Sequence, residues 1–432
     1  MTILRAASMR GAAPDCGDVV DLAREAARLA GMDRVVRGPI VTSNPDRSAS
    51  YWADGALASD EHGRIAFVGD WVDFTRLHGE HVQHRKSMGL ILPSMLDLHT
   101  HIPQWPIRGR FADGMAPDDP RGLLLAGLAT NVFPAEVRFD DVAYAEQVTR
   151  QFLNDCARNG VIGGCAFLTV HPAAARRTLE LLPETWRAGL CLMNQNCPPE
   201  LRCDASILTE VEQLARDFGD RFVVTDRFAV ATTSALRRPA ADIAKRYGLM
   251  TQTHLNEQVA EKALVEKTLY PQSKSYTHVY LDDGFFDTRA IVAHCIQMTD
   301  PEWEILRDRK CVIAHCPTSN RDLGSGVMRL DDVISRAIDY VLCTDVGASP
   351  TTSLLAEMRV FMAVHRPFTT RATPAEALYR TTLAPAKVLG IDRDFGSLRL
   401  GSQMRYHEAP LPAPASSYAD DESALMAALR LL

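Results

Sequence analysis

The sequence lacks three features: a Cys-x-x-Cys motif, an apolar run long enough to cross a membrane, and an excess of positive charge. Its 432 residues include 47 Lys and Arg against 54 Asp and Glu, and the formal net charge of -7 excludes a general attraction to nucleic acids or anionic lipid. The 10 cysteines are scattered, and several lie in apolar, strand-like runs, which is typical of buried free thiols in a reducing compartment. The first residues carry no apolar signal-peptide core, so we expect a cytoplasmic protein.

The pattern of residues divides the chain into four segments. Residues 1–34 form an N-terminal extension, in which apolar residues at helical spacing predict a short amphipathic helix over 20–30. Residues 35–92 contain short β-prone pieces separated by Gly, Asn, Pro and Asp, which predicts a small sheet module. Residues 93–390 carry a longer repeating pattern, and residues 391–432 can return a strand to the small sheet before a terminal helix.

Short apolar strands alternate with amphipathic helices from about residue 89 onward. This alternation is typical of βα units on a parallel sheet, whose buried strands need continuous apolar runs. Eight strands are predicted, over residues 89–99, 160–170, 188–196, 221–230, 249–255, 290–295, 311–316 and 340–346. The pattern therefore predicts an α/β fold, a (βα)8 TIM barrel, with a small β-sandwich domain formed by the N- and C-terminal segments.

Polar residues interrupt the apolar strands mainly at their C-terminal ends, where the active sites of such barrels lie. The first strand ends in His99-Thr100-His101, the fifth in His254 and the eighth in Asp345. Because side chains alternate in direction along a strand, His99 and His101 project to the same side and can bind one ion. Three imidazoles and one carboxylate suit zinc, with a position left for chemistry. We therefore predict a metal site at this mouth of the barrel.

The other histidines are expected to have no role in metal binding. A single histidine at the end of a strand is more often a hydrogen-bonded core residue than a ligand. We expect His315 to shape the loop after the seventh strand. Histidines in polar or irregular segments are predicted to lie on the surface: His62, His78, His81, His84, His365 and His407.

Several strings in the sequence resemble the amidohydrolase superfamily, in its mononuclear aminohydrolase branch, and within that branch the guanine deaminase family. In chain order they are DLHTHIPQ, FPAEVRF, TDRFAV, THLNE, AHC, AHCPTSN, LGSG and CTDVG. The resemblance runs from about residue 36 to residue 401, which is nearly the whole predicted barrel and its flanking sheet.

This resemblance implies hydrolytic deamination of guanine to xanthine and ammonia, with one zinc ion per chain held by the four residues predicted above. It also implies that His294 and Asp345 orient the attacking water and that Glu257 is the proton shuttle. The residues that would grip the purine or pack against it are Gln104, Arg227 and Phe228. A homodimer is expected on the same ground.

The sequence departs from the family pattern at Ala126-Gly127, Arg321-Asp322 and Ala348-Ser349, and over residues 401–406. These departures keep a second interpretation open, a zinc aminohydrolase of the same superfamily that acts on a pterin, cytosine, an adenosine-like compound or an s-triazine. A binuclear cyclic-amide hydrolase would need a carboxylated lysine at the end of the fourth strand, where this chain has Thr225-Asp226-Arg227 and no nearby lysine. The other zinc deaminase fold would need a P-C-x-x-C motif, which is absent. A catalytically silent barrel is the non-enzymatic alternative.

Overall fold

The computed structural model describes residues 34–431. The helix predicted over 20–30, and nearly all of the N-terminal extension, lie outside the described residues. The strands are β1 (Arg34–Ser43), β2 (Ala49–Ser59), β3 (Ile65–Asp70), β4 (Arg85–Lys86), β5 (Leu90–Pro93), β6 (Met95–His101), β7 (Val161–Phe167), β8 (Trp186–Gly189), β9 (Cys191–Leu192), β10 (Val224–Asp226), β11 (Thr251–Leu255), β12 (Ala290–His294), β13 (Val312–His315), β14 (Asp339–Leu342) and β15 (Tyr406–Ala409).

Most helices follow the strands in alternation, as the sequence predicts. They are α1 (Trp71–His78), α2 (Gly122–Gly127), α3 (Phe133–Val137), α4 (Val142–Arg158), α5 (Pro172–Leu181), α6 (Ile207–Phe218), α7 (Ser234–Tyr247), α8 (Val259–Leu264), α9 (Tyr276–Asp282), α10 (Asp300–Asp308), α11 (Pro317–Asp322), α12 (Leu330–Ser335), α13 (Leu354–His365), α14 (Pro374–Thr381), α15 (Leu383–Leu389) and α16 (Asp421–Arg430). Across residues 34–431, no helix combines the length and the apolar character that a membrane crossing requires.

A mixed sheet joins the two ends of the described chain. Its order is β15-β5-β1-β2-β3, and β4 pairs with β1. The returning strand β15 pairs antiparallel with β5, which places Tyr406 opposite Pro93. Ile40, Leu57 and Ile91 are fully buried in the core of this sheet. One sheet therefore contains strands from both ends of the described chain.

The remaining strands form two parallel sheets, which confirms the predicted α/β class. One has the order β6-β7-β8, and the other runs from β9 to β14 in chain order. On β12, Ile291 and Ala293 pack into one apolar cluster, whereas Val292 between them packs into the other. Both faces of the strand are therefore buried, as the continuous apolar runs predict. His294 is the last residue of this strand.

The first predicted strand is divided at Ser94 between two sheets. Its first part, β5, belongs to the mixed sheet, and its second part, β6, belongs to a parallel sheet. The backbone partner changes at this point, because Ser94 N donates to Arg405 O at 3.2 Å and Met95 N donates to Gly160 O at 2.8 Å. Both parts are entirely buried, so the apolar pattern continues through the division and does not reveal it.

The fourth predicted strand is shorter in the structure than in the sequence-based prediction. The prediction covers residues 221–230, whereas β10 spans Val224–Asp226. After it the chain turns, and Ala231 N donates to Phe228 O at 2.9 Å. Arg227 and Phe228 therefore lie in a loop beyond the strand rather than within it.

Candidate active site

The ends of β6 and β14 are tied together by a buried carboxylate, Asp97. It accepts hydrogen bonds from the backbone of His99 and Thr344, each at 3.2 Å, and from the Thr344 hydroxyl. Asp345 N in turn donates to His99 O at 2.9 Å. Burial raises the pKa of Asp97 to about 7. These contacts bring the first and last predicted metal ligands to one place.

The predicted ligands lie at distances that match the edges of one coordination shell. The Asp345 Oδ1 atom lies 3.3 Å from His99 Nε2 and 3.2 Å from His101 Nε2. The Nε2 atoms of His101 and His254 are 3.1 Å apart. Ligands about 2.0–2.2 Å from a tetrahedral zinc ion lie roughly 3.3–3.6 Å from one another. The spacing therefore fits an ion at the centre of the group.

The hydrogen bonds of these side chains also fit an ion. Neither ring nitrogen of His99 makes a hydrogen bond, although both are buried. His254 Nδ1 lies 2.6 Å from the carbonyl oxygen of Arg227 and can donate to it, which directs Nε2 into the cluster as an electron-pair donor. Buried ring nitrogens without partners are costly unless something else binds them. The group therefore has donor atoms available for a metal ion.

His294 lies between this cluster and Glu257. Ligand atoms of His99, His254, His294 and Asp345 all lie within 4.8 Å of one another. His294 Nε2 is nevertheless 4.0 Å from Asp345 Oδ2, farther than His99 or His101, and is 3.5 Å from Glu257 Oε2. Its Nδ1 lies 2.9 Å from Asn320 Oδ1 and can donate to it, which fixes the ring. Like both ring nitrogens of His99, His294 Nε2 is buried without a hydrogen bond.

Two of the site residues have backbone conformations that favour glycine. His294 has φ of 70° and Asp345 has φ of 53°. A left-handed conformation is unfavourable for a side chain with a Cβ atom, and it persists where the surrounding structure enforces it. The strain marks the end of β12 and the segment after β14 as positions where side-chain direction outweighs backbone preference.

The protonation of the site follows from burial and from its charged neighbours. Burial raises the pKa of Glu257 to about 7 and lowers the pKa of His101 to about 3. Burial alone would raise the pKa of Asp345, but the His101 and His99 imidazoles hold it well below its usual range. The site thus offers neutral His101, an ionised Asp345 and a carboxyl group, Glu257, that can gain or lose a proton near neutral pH.

Arg227 and Gln104, predicted to grip the purine, share a partner that the sequence analysis missed. Arg227 Nη1 donates to Glu136 at 2.6 Å and 2.7 Å, and Gln104 Nε2 donates to Glu136 Oε1 at 3.0 Å. All three side chains are buried. Glu136 lies in the FPAE string, but no sequence signal indicates which residue it contacts.

A single small cavity connects the two halves of the site. Its lining includes most of the predicted site residues together with four apolar side chains: His101, Gln104, Phe111, Leu124, Leu128, Arg227, Phe228, His254, Glu257, His294, Leu323 and Asp345. The ring of Phe228 lies 6.4 Å from the ring of His254. The cavity therefore combines an apolar wall with few polar groups, as ligand sites do.

Two of the three altered segments lie next to residues that line this cavity. Gly347 has φ of 127°, and a Cβ atom there would lie 2.1 Å from Gln104 Oε1, so glycine is required beside the Gln104 amide. Gly127 packs against Phe111 in the same way, with its Cβ position 2.6 Å from the Phe111 carbonyl oxygen. Arg321 pairs with Asp322 on the surface. The departure at 126–127 therefore packs behind the cavity wall, and at 348–349 Ser349 N donates to the carbonyl oxygen of Asp345 at 3.1 Å. Arg321 and Asp322 are not among the lining residues.

The prediction that His365 lies on the surface is wrong. Its side chain is buried, and its Nε2 atom lies 2.8 Å from Nε2 of His315. Asn320 Nδ2 lies 3.5 Å from His315 Nδ1, so the two histidines stand behind the residue that orients His294. Helix α13 ends at His365 and turns it inward, which its polar sequence surroundings do not indicate. His315 does stand at the end of β13, beside the loop it was expected to shape.

Both the sequence and the fold of this chain resemble those of known proteins. A model of the amidohydrolase family matches residues 90–403. The chain is 29% identical to the guanine deaminase of Escherichia coli (strain K12) over 388 residues, which cover 86% of each chain. The solved structure of E. coli guanine deaminase gives a TM-score of 0.79 at 26% identity and covers 92% of this chain and 94% of that one. A guanine deaminase from C. acetobutylicum, solved with guanine bound in the active site, gives a TM-score of 0.75 at 25% identity, with coverage of 86% and 89%. With the family model matching most of its length, this chain belongs to the amidohydrolase family.

Proposed function

We propose that this protein catalyses the zinc-dependent hydrolysis of guanine to xanthine and ammonia. One observation carries the proposal: a single cavity joins the His/Asp cluster, a buried Glu257 and the pair Arg227 and Gln104. The similarity to guanine deaminases over most of the chain supports the same reaction. These are the parts that deamination of a purine requires, namely a site for water activation, a proton carrier and polar groups that hold the ring.

We infer that the two parallel sheets belong to one closed (βα)8 barrel, residues 93–390. Two backbone contacts between them support closure, Val223 N to Ala188 O at 3.0 Å and Asp345 N to His99 O at 2.9 Å. The small domain would comprise residues 35–92 and 391–432, with the mixed sheet as its main layer. A β-sandwich arrangement of that domain remains part of the proposal.

We propose one zinc ion per chain, held by His99, His101, His254 and Asp345. The distances and free ring nitrogens described above support this set, and His294 is assigned to the space beside the ion. When bound, zinc supplies Lewis-acid chemistry that makes hydroxide available near neutral pH. Metal analysis of the purified protein should find about one zinc per chain, and a different metal at full occupancy would contradict the assignment.

Glu257 is the proposed proton carrier. A group with a pKa near 7 can take a proton from water and release it to the ring within one turnover. Guanine is a poor electrophile at C2, so N3 must gain a proton as hydroxide adds to C2. Glu257 would take the proton from water, deliver it to N3, and then assist protonation of the departing ammonia. Ser325 Oγ donates to Glu257 Oε1 at 3.0 Å and holds the carboxyl group in place.

Arg227 and Gln104 are the proposed polar contacts to the ring, and Phe228 packs against it. Arginine only donates hydrogen bonds, so Arg227 suits the ring carbonyl oxygen. A base with the wrong pattern of donors and acceptors would leave these buried groups unpaired, which is costly.

The resemblance also leads us to propose a homodimer. Sedimentation equilibrium tests this directly, since a monomeric mass would contradict it.

A deamination assay tests the proposed function. Purified protein with its metal is expected to convert guanine to xanthine, followed by the ultraviolet difference between the two bases, with one ammonia released per guanine. A parallel panel contains adenine, cytosine, a pterin and an aminotriazine. Turnover of one of these without turnover of guanine would overturn the substrate assignment and favour the second interpretation from the sequence.

A further inference from the structure

Among the described residues, Glu136 is the only one whose side chain hydrogen-bonds to both Arg227 and Gln104, the two polar residues proposed to hold the purine. It lies on the short helix α3 and is 1% exposed. Its two oxygens accept from Arg227 Nη1, and Oε1 also accepts from Gln104 Nε2. Within residues 34–431 Glu136 makes no hydrogen bond or ion pair with the metal cluster, so it acts on the site through Arg227 and Gln104.

The contact with Glu136 decides which atom of the Gln104 amide is left for a substrate. An ionised carboxylate only accepts hydrogen bonds, so the amide must turn its NH2 group toward Glu136. The Gln104 Oε1 atom then accepts no hydrogen bond within residues 34–431, and the residue lines the cavity. One N–H of the Gln104 amide is used by Glu136, and Gln104 Oε1 is the acceptor that the residue offers a ligand.

Arg227 is fixed in the complementary role. Its only side-chain hydrogen bonds in the described part of the chain run from Nη1 to Glu136, which leaves Nε and Nη2 available as donors. The guanidinium carbon also lies 5.8 Å from the Phe133 ring, which helps to hold the group. The site thus presents one fixed acceptor and one fixed donor group side by side.

We propose that Glu136 is a specificity-determining positioning residue, which makes the site select purines with a ring N–H beside a carbonyl. Guanine has this edge at N1 and C6. A purine with an unprotonated ring nitrogen beside an amino group has the reverse pattern. Its ring nitrogen would face Gln104 Oε1, and two acceptors cannot form a hydrogen bond. This inference rests on the proposed function, because it assumes that Arg227 and Gln104 contact the N1–C6 edge of the substrate.

A comparison of guanine with 2,6-diaminopurine isolates this effect. Both bases carry the same amino group at C2, and they differ only at N1 and C6. In Glu136→Gln the new amide can donate to Gln104 Oε1, so the Gln104 amide can turn over and present NH2 to the ligand. The ratio of kcat/KM for guanine to that for 2,6-diaminopurine should fall at least about tenfold, mostly through the KM for guanine. Titration with xanthine, which keeps the same edge, should show weaker binding without turnover.

Two further variants keep the test decisive. Glu376→Gln alters another buried carboxylate, which accepts from Arg380 Nε and from the Tyr340 hydroxyl, each at 2.8 Å, outside the cavity. It should leave the ratio unchanged even if it lowers stability. If Glu136→Gln does not fold, Gln104→Met removes the acceptor while the pair of Glu136 and Arg227 stays intact, and the ratio should fall again.

The outcomes separate this inference from the function on which it rests. A wild-type protein that does not deaminate guanine defeats the proposed function and the role of Glu136 together. A wild-type protein that deaminates guanine, with a folded, metal-loaded Glu136→Gln variant whose ratio is unchanged, defeats the role of Glu136 alone. An unchanged ratio in Gln104→Met would do the same.

Discussion

Two buried glutamates near the end of β11 show opposite behaviour. Glu302 accepts hydrogen bonds from Lys262 Nζ at 2.6 Å and from the side chains of Asn256 and Thr277, each at 2.9 Å. Burial alone would raise the pKa of Glu302, but the Lys262 ammonium and these hydrogen bonds lower it to about 2. Glu302 is therefore a fully paired charge that holds the loop after β11.

Glu257 is as buried as Glu302 but has far fewer partners. Its carboxyl group accepts one hydrogen bond, from Ser325, and faces His294 at 3.5 Å, and burial raises the pKa to about 7. It follows Asn256, whose side chain is bound by Glu302. One carboxylate thus stabilises the loop that presents the other. At equal burial, the number of hydrogen-bond partners therefore decides the direction in which the pKa of each carboxyl group is shifted.

The contrast between Glu257 and Glu302 depends on a metal site beside Glu257. It would fail if the histidines there only formed a structural cluster and bound no metal ion. His254→Ala removes one proposed ligand, and we expect the zinc content to fall well below one per chain and the deamination rate to fall to background. Metal analysis and the guanine assay measure both. His62→Ala, at an exposed histidine, is the matched control and should keep metal and activity. Full zinc content in His254→Ala would rule out this ligand.

The proton-carrying role of Glu257 predicts the next largest effect. Glu257→Gln keeps the size of the side chain but cannot take up a proton, so kcat on guanine should fall about 10²–10⁴-fold, the usual contribution of a general acid-base group. Zinc content should stay at about one per chain, because Glu257 is not a proposed ligand. A variant that retains both its zinc and most of its wild-type rate would show that another group moves the proton.

Glu302 should affect stability rather than chemistry at the metal. Glu302→Gln removes the shorter of two carboxylate contacts of Lys262, leaving Glu266 Oε1 at 3.3 Å, and should lower the free energy of unfolding at pH 7 by about 1–3 kcal/mol. Urea unfolding followed by circular dichroism measures this. The folded pKa of about 2 lies below the ordinary 4.5, so the contribution is complete above about 4.5 and is lost as the pH falls toward 2. The gap between wild type and variant should shrink in that window, and a gap independent of pH would contradict the assignment.

Ser325 should produce the smallest change. Ser325→Ala removes the only hydrogen bond to the Glu257 carboxyl group seen in residues 34–431, which is worth about 1 kcal/mol, so kcat should fall about fivefold. Steady-state kinetics on guanine measures the change. Ser335→Ala removes an exposed hydroxyl that bonds only to a backbone carbonyl and should leave kcat unchanged. Equal rates in both variants would mean that Ser325 does not hold Glu257.

Local pattern predicted the α/β class and the approximate place of the parallel strands, because buried strands need apolar runs. It did not predict where Leu90–Pro93 separates from the following strand, since both parts are apolar and the division depends on the partners Arg405 and Gly160. It also made β10 too long, because Arg227 and Phe228 follow the strand without a break in pattern. Sheet partners are properties of the folded chain and are invisible in a local window.

The site was predicted unevenly for the same reason. Three of the predicted strands carry the proposed ligands at or near their C-terminal ends: His99 and His101, His254, and Asp345. A barrel brings such strand ends together, so the sequence was enough to group these residues. Glu136 was not predicted, because its partners are 91 and 32 residues away and its own string shows no polar periodicity. His365 was misplaced because its burial depends on His315, a residue 50 positions earlier.

The division at Ser94 has a practical consequence for engineering this chain. A single residue separates Pro93 of the mixed sheet from Met95, the first residue of the strand that ends in His99 and His101. A truncation or fusion point cannot be placed between the two sheets without pulling on the strand that carries these histidines. The antiparallel pairing of β15 with β5 extends this constraint to the other end of the chain. Tags and fusion partners are therefore best attached beyond both ends of the mixed sheet.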